Sequence, residues 1–440
     1  MCGSAAFVFA LVGLLGVAGV GDAAAAVTVR VSVSSTEQQA NSNSWYVGIS
    51  ADGRYVAFVS RASNLVAGDT NGEDDVFVRD RVMGVTERVS VSSNGSQGNN
   101  GSGDPVISAD GRFVAFTSVA SNLVVGDTNG ESDVFVRDRR LGTTERVSVS
   151  STGLQATGGS FQPAISANGQ VVAFASGASN LAAGDTNHRR DVFVRDRATD
   201  TTQRVSVSVT GAAGRNPSQT PAISADGRLV AFESLARNLV IGDTNHVQDV
   251  FVRNLGTGTT ERVSVSSNGT QGGGRNEDPA ISADGRLVTF SSESSNLVRS
   301  DTNRINDVFV HNRVTGKTQR ISISTNGKQG HRPSFESTIS RSGRFVAFFS
   351  WAVNLVRGDT NHTGDVFLRD RTTGITRRVS VSSTGEQAND QSQSGTVSAD
   401  GRIVAFFSFA SNLVAGDTND TSDVFVRDRH SGSGAGVTSE

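Results

Sequence analysis

Two stretches of the chain carry oxygen ligands at a spacing that could hold a hard cation. One comprises Asp69, Asn71, Glu73 and Asp75, and the other Asp127, Asn129, Glu131 and Asp133. Oxygens at the first, third and seventh positions of a loop resemble the opening of a calcium loop, in which carboxylates and carbonyls replace the ion's water. Asp80 falls at the twelfth position, where such a loop wants its bidentate acid. Residues 75–80 read as a strand, however, which would set Asp75 and Asp80 about 16 Å apart at ~3.3 Å per residue. That spacing excludes an EF-hand and leaves a smaller site completed by backbone carbonyls. The competing reading is an Asx-turn entering a strand, its Asp and Asn satisfying nearby backbone N–H groups.

Other chemistry is thin. The fourth position of the same loop carries Gly72, Gly130, His188, His246, Arg304, His362 and Asp420. Each histidine belongs to a different unit, and Gly, His and Asp share a tolerance for left-handed backbone, so conformation explains this column better than a metal does. No G-x-S-x-G or H-E-x-x-H string occurs, and His331 stands alone near a short strand. Glu233, Glu277, Glu293 and Glu336 break an otherwise regular pattern and could converge in space. The sequence therefore offers no catalytic constellation.

The elements that position these residues come from a repeat. Gly-Asp-Thr-Asn recurs with its Asp at 69, 127, 185, 243, 359 and 417, and Asp301 completes the series behind Ser300. Every step is 58 residues, without insertion or deletion. Such a period marks stacked supersecondary units. Each unit reads as four strands. An outer strand such as 144–150 alternates; a short inner strand ends in Ile107-Ser-Ala-Asp-Gly111; Arg112–Ser118 is a nearly continuous apolar run, as for a strand covered on both faces; Asp133–Asp138 is the fourth. Phe58, Phe77 and their equivalents supply one aromatic pair per sheet, placed between neighbouring sheets. Arg79-Asp80-Arg81 reads as a turn with surface ion pairs, and the fourth and fifth units lose it.

Residues 28–35 form an outer-type strand with no sheet before it, and the last unit lacks one. The orphan fills the vacancy and removes an exposed edge. The expected fold is therefore all-β: a seven-bladed β-propeller of four-stranded blades, closed by the N-terminal strand completing the last blade. The unit I-S-A-D-G-R-x-V-A-F-x-S … D-V-F-V-R-D … T-x-R-V-S resembles the repeat of TolB-type propellers, relatives of the WD-repeat family, across residues 28–429. The resemblance implies a propeller and, in function, a range: interaction scaffolds, propeller domains of peptidases and a few polysaccharide lyases. A lyase of that kind would need histidines and metal ligands converging on the central channel. Units of this family run nearer to 40–45 residues, and the excess here lies in particular loops.

Those loops choose a face. Because strands alternate in direction, the two long loops of each unit, such as 93–105 and 119–132, emerge together, and the tight turns emerge opposite. Asn64-Leu65 and its six equivalents predict an ordered second loop, with Leu plugged into the blade and Asn capping a turn. The first loop varies: just before the inner strand it carries Trp45, Gly103, Phe161, Gln219, Glu277, Phe335 and Gln393. Trp45, Phe161 and Phe335 are the ligand-face candidates, able to stack on a sugar or a peptide or else to cap the blade edge.

Composition bounds the rest. The 440 residues carry a net charge of −3 with Lys and Arg spread along the chain, which argues against a nucleic-acid surface. Residues 1–26 read as a signal peptide, residues 27–430 as the propeller and residues 431–440 as a flexible tail. Cys2 is the only cysteine, so the exported protein must draw its stability from its core rather than from disulfides. These readings point to an extracytoplasmic monomer (periplasm, cell surface or medium) without a membrane span after cleavage. Its expected role is a non-catalytic scaffold binding a protein or cell-envelope partner through the long-loop face, with calcium as the one cofactor the loops suggest. A glycan-binding propeller is the alternative, and a polysaccharide lyase or hydrolase a more distant one.

Overall fold

The structure, a computed structural model, describes residues 26–429; apart from Ala26, the leader and tail assigned above lie outside the described residues. Twenty-eight strands, numbered β1–β28 in chain order, form seven four-stranded antiparallel sheets. In blade 1, β2 (Ser44–Ile49) is innermost, followed outward by β3 (Tyr55–Ser60), β4 (Asp75–Asp80) and β5 (Val85–Arg88). Blades 2 to 6 repeat this arrangement. Blade 7 is built from β26 (Ser392–Val397), β27 (Ile403–Ser408) and β28 (Asp423–Asp428), and its outer strand is β1 (Val27–Arg30). Val27 pairs with Asp428 and Arg30 with Phe425, so the ring closes as the orphan strand predicted. Among the described residues no helix is long and apolar enough to cross a membrane.

The core lies between blades. Phe58 pairs with Phe77 across β3 and β4, and their rings stack at 5.8 Å; the six equivalent pairs stack at 5.7–6.0 Å. Phe58 and Phe77 are fully buried against Ile403, Val424 and Val426 of blade 7. The aromatic pair is thus the mortar between sheets, where an extended apolar face gains most from leaving water.

Two connections differ from the sequence reading. Leu65 and its equivalents are buried as expected, but Asn64 does not cap its own turn. Its Oδ1 accepts from the Asn41 N–H (3.0 Å) and its Nδ2 donates to the Gln39 carbonyl (2.8 Å), which ties the two long loops of a unit together. The Arg-Asp-Arg run does make the expected ion pairs, of Asp80 with the part-exposed Arg54 and of Arg79 with the exposed Glu37, but its first two residues end a strand and Arg79 reaches further. Arg79 is buried and donates to the Ser34 carbonyl of the preceding blade's outer segment (3.0 Å), while Asp80 is bridged by Arg54 at 2.7 Å. Guanidinium groups here satisfy carbonyls that the stacking of sheets would otherwise leave bare.

The end of the central channel that carries the tight turns is ringed by backbone. The Ala51 N–H donates to the Ala109 carbonyl, Ala109 to Ala167, Ala167 to Ala225, Ala225 to Ala283, Ala283 to Arg341, and Ala399 to Ala51, at 2.9–3.2 Å. One run of hydrogen bonds thus joins all seven blades, bridging six of the seven junctions between neighbours. Beside it, Ile49, Ile107, Ile165, Ile223, Ile281, Ile339 and Val397 form an apolar ring around a space of about 170 Å³.

Candidate functional site

Three residues along the same inner strands, the channel changes character. Each inner strand carries a β-bulge, between Trp45 and Val47 in blade 1 and at matching places in the other six. The bulge turns one residue per blade into the left-handed region: Tyr46 (φ 45°), Asp104 (49°), Gln162 (53°), Thr220 (52°), Asp278 (53°), Glu336 (50°) and Ser394 (53°). Seven non-glycine residues at positive φ, one of them the β-branched Thr220, amount to a strained ring. All seven line a cavity of about 410 Å³ at the end of the channel that carries the long loops.

Strain is offset by hydrogen bonds passed from blade to blade. The Thr220 N–H donates to Gln162 Oε1 (3.1 Å), the Asp278 N–H to Glu233 Oε2 (2.9 Å), and both the N–H and Oγ of Ser394 to Glu336 Oε2 (3.2 Å). Behind the ring stand Pro105, Pro163, Pro221 and Pro279, which offer no N–H to the cavity. In blade 6 that place belongs to Ser337, 5% exposed, whose Oγ has no hydrogen-bond partner.

The electrostatics are one-sided. Asp104, Asp278 and Glu336 line the cavity, no Lys or Arg does, and none of the three makes an ion pair with a described residue. Burial, then the nearby carboxylates Glu233, Glu277 and Glu336, push Asp278 up to about 7. Burial also raises Glu233, against a hydrogen bond from Gln219 Nε2 (2.8 Å), and raises Asp104, against the Gln162 N–H. Glu336 is exposed at the channel mouth, and desolvation by the surrounding protein raises its carboxyl against the hydrogen bonds from Ser394. Tyr46 is raised by desolvation and by Asp104 and Glu336.

The sequence pointed one residue away from this ring. Trp45, Phe161 and Phe335 sit in the inner strands just before the bulge, half-buried, rather than ahead of them. Arg190 lies over the Phe161 ring at 5.3 Å, and Phe335 meets Trp351 edge-on at 5.8 Å. Trp45 packs on the inter-blade core and, with Tyr46, Phe407 and Phe409, walls a recess of about 430 Å³ that shares Tyr46, Glu336 and Ser394 with the cavity. Of the four acids that break the repeat, Glu233, Glu277 and Glu336 gather around Asp278, while Glu293 is exposed and stands apart. Asp278 itself was missed. The signal for it was a variable column followed in four blades by proline.

At the loops with calcium-like spacing, Asp69 Oδ1 and Asp75 Oδ2 both receive Arg88 Nη1, at 3.1 and 3.2 Å. Asp127 and Asp133 share Arg146 in the same way at 3.2 and 3.4 Å. Asn71 and Asn129 donate to Asp75 and Asp133, and their Oδ1 atoms accept from the N–H groups of Glu73 and Glu131 in Asx-turns. Burial raises Asp69 and Asp127, with the adjacent carboxylate adding and the arginine opposing. An arginine pairs the matching aspartates in every other unit, from Arg30 with Asp417 to Arg378 with Asp359. The fourth position is at positive φ in all seven, as its Gly, His and Asp content predicted. Among the described residues no three or more His, Cys, Asp or Glu side chains gather as a metal cluster.

No protein-family model matches the chain, and no curated protein matches its sequence. Solved structures do resemble it in fold. The propeller domain of the Trilobed protease of Pyrococcus furiosus, described as having an open velcro topology, is 12% identical with a TM-score of 0.53, covering 88% of this chain and 94% of that one. An oligogalacturonate lyase of Vibrio parahaemolyticus is 10% identical with a TM-score of 0.50, covering 88% and 90%. TolB of Acinetobacter baumannii is 14% identical with a TM-score of 0.41, covering 86% and 82%. At such identities the likeness is one of fold alone.

Proposed function

We propose that this chain is an exported, non-catalytic binding scaffold of TolB-like type that takes a protein or cell-envelope partner at the long-loop mouth of its channel. The observation that carries this reading is the bulge ring, where a frame repeated without change presents seven side chains of which only the two aspartates recur. Binding sites commonly arise as variable groups on a rigid frame. The apolar leader of residues 1–26 supports placement outside the cytoplasm.

Panning the full chain against a displayed random-peptide library, alongside a glycan array, tests it. Selected peptides should lose at least tenfold in affinity in the Tyr46→Ala/Phe409→Ala variant and be unaffected by Leu141→Ser in a tight turn opposite. Loss in the second variant alone would sink the reading. The exposed ring of Phe409 beside Trp45 favours a second reading, stacking on a sugar; glycan hits without peptide hits would select it. The Asp69 and Asp127 loops enter as rigid supports, since calcium there must displace a guanidinium from two carboxylates. The expected melting temperature is the same in chelator and in millimolar calcium, and a rise of several degrees in calcium would place a metal at these loops.

A further inference from the structure

The acidic cavity has a more specific reading, which rests on the scaffold proposal and names the chemistry of its ligand. We propose that the long-loop mouth of the channel is a subsite for an alkylammonium or alkylguanidinium group, the basic end of a lysine or arginine side chain or of a free amine.

Four independent observations converge on that group. Asp104, Asp278 and Glu336 face one cavity that no described Lys or Arg lines, so they bring negative charge without a counter-ion. Carboxylates drawn away from bulk water are favoured when a cation joins them. The Ser337 Oγ is buried, unpartnered and part of the same lining, an acceptor awaiting a donor from a guest. Below the acids, Pro105, Pro163, Pro221 and Pro279 supply an apolar collar suited to a methylene stem. Beside them, Tyr46 and Phe409 are each about half exposed and, with Trp45, present aromatic faces that attract cations. A long apolar stem with a multi-donor cationic head meets all four conditions. A neutral sugar would leave the acids uncompensated, and an anion would be repelled.

The surrounding charges do not cancel the field. Arg275 pairs with Glu277 at 2.8 Å and opposes, without outweighing, the burial and carboxylates that raise Asp278; Arg190 lies over Phe161, and Arg341 belongs to the opposite end. Glu233 adds a further carboxylate behind Asp278.

The test is calorimetric titration of the full chain with three probes: the tripeptide acetyl-Gly-Lys-Gly-amide, its norleucine counterpart, and cadaverine. Binding of the lysine peptide but not the norleucine peptide is expected, with at least a tenfold loss in Asp278→Asn/Glu336→Gln and no change in Glu293→Gln on the same face. Tighter binding of the peptide than of cadaverine assigns the cation to a polypeptide, and the reverse order assigns it to a free amine. Equal binding of the lysine and norleucine peptides, or binding untouched by the double variant, overturns the proposal. So does calcium binding that the double variant abolishes while neither amine binds. A ring-closed fold in the variant is checked by a single cooperative melt no lower than that of the parent chain. If the subsite fails while peptides selected in panning still bind, the scaffold reading stands and the cationic ligand alone is lost.

Discussion

The two mouths of the channel are built from the same inner strands and come out opposite. At the tight-turn mouth six isoleucines and a valine repeat one chemistry, and backbone donors and acceptors of adjacent blades satisfy each other. Three residues away, at the long-loop mouth, the equivalent places hold Tyr, Asp, Gln, Thr, Asp, Glu and Ser, all at positive φ, and backbone N–H groups there donate to side-chain oxygens of neighbouring blades. One mouth is optimised for holding blades together. The other accepts strain and uncompensated charge, a pattern expected where binding rather than stability decides the residue.

The contrast predicts that substitutions divide by mouth. The largest loss belongs to the frame: Arg88→Ala leaves Asp69 and Asp75 buried without their cation and should cost about 3–5 kcal/mol, read from the urea midpoint. At the long-loop mouth the sign reverses. Folded Asp278, at about 7, retains a proton that the unfolded chain releases near 3.8. Its contribution to stability is therefore full below the unfolded value and is lost as pH rises toward 7. Asp278→Asn should gain on the order of 2 kcal/mol at pH ~8 and nothing near pH ~3. At the tight-turn mouth, Ile223→Ala should cost about 2 kcal/mol, since that side chain is only partly buried. Thr220→Gly should gain about 1 kcal/mol by releasing a β-branched residue from left-handed backbone. A destabilising Thr220→Gly or a neutral Ile223→Ala would erase the distinction between the mouths.

Much of this architecture was legible because a fixed register forces every blade to solve the same packing problem. Phe58 and Phe77, the buried Leu65 and the closing strand were all readable from position in the repeat. The left-handed residue at His188, His246 and Asp420 was readable from which side chains tolerate it. What stayed hidden depends on contacts that cross elements. Arg88 lies on the strand after Asp75, so its grip on both aspartates cannot be read from the spacing of the acids. The sequence places Trp45, Phe161 and Phe335 in a variable loop ahead of the inner strand, whereas they lie inside it and a bulge turns the next residue into the channel. Asp278 shows the consequence: three of the acids suspected of converging do so, around a fourth acid in the column next to the one singled out.

The circular run of backbone hydrogen bonds has a seam. Among the described residues, Arg341 accepts from Ala283, but its own N–H makes no matching bond to Ala399. A washer split at one point yields at the split. Load transmitted down the channel from a guest wedged at the far mouth would therefore spread blades 6 and 7 first, and the amide of Arg341 should exchange its hydrogen sooner than the six that are linked.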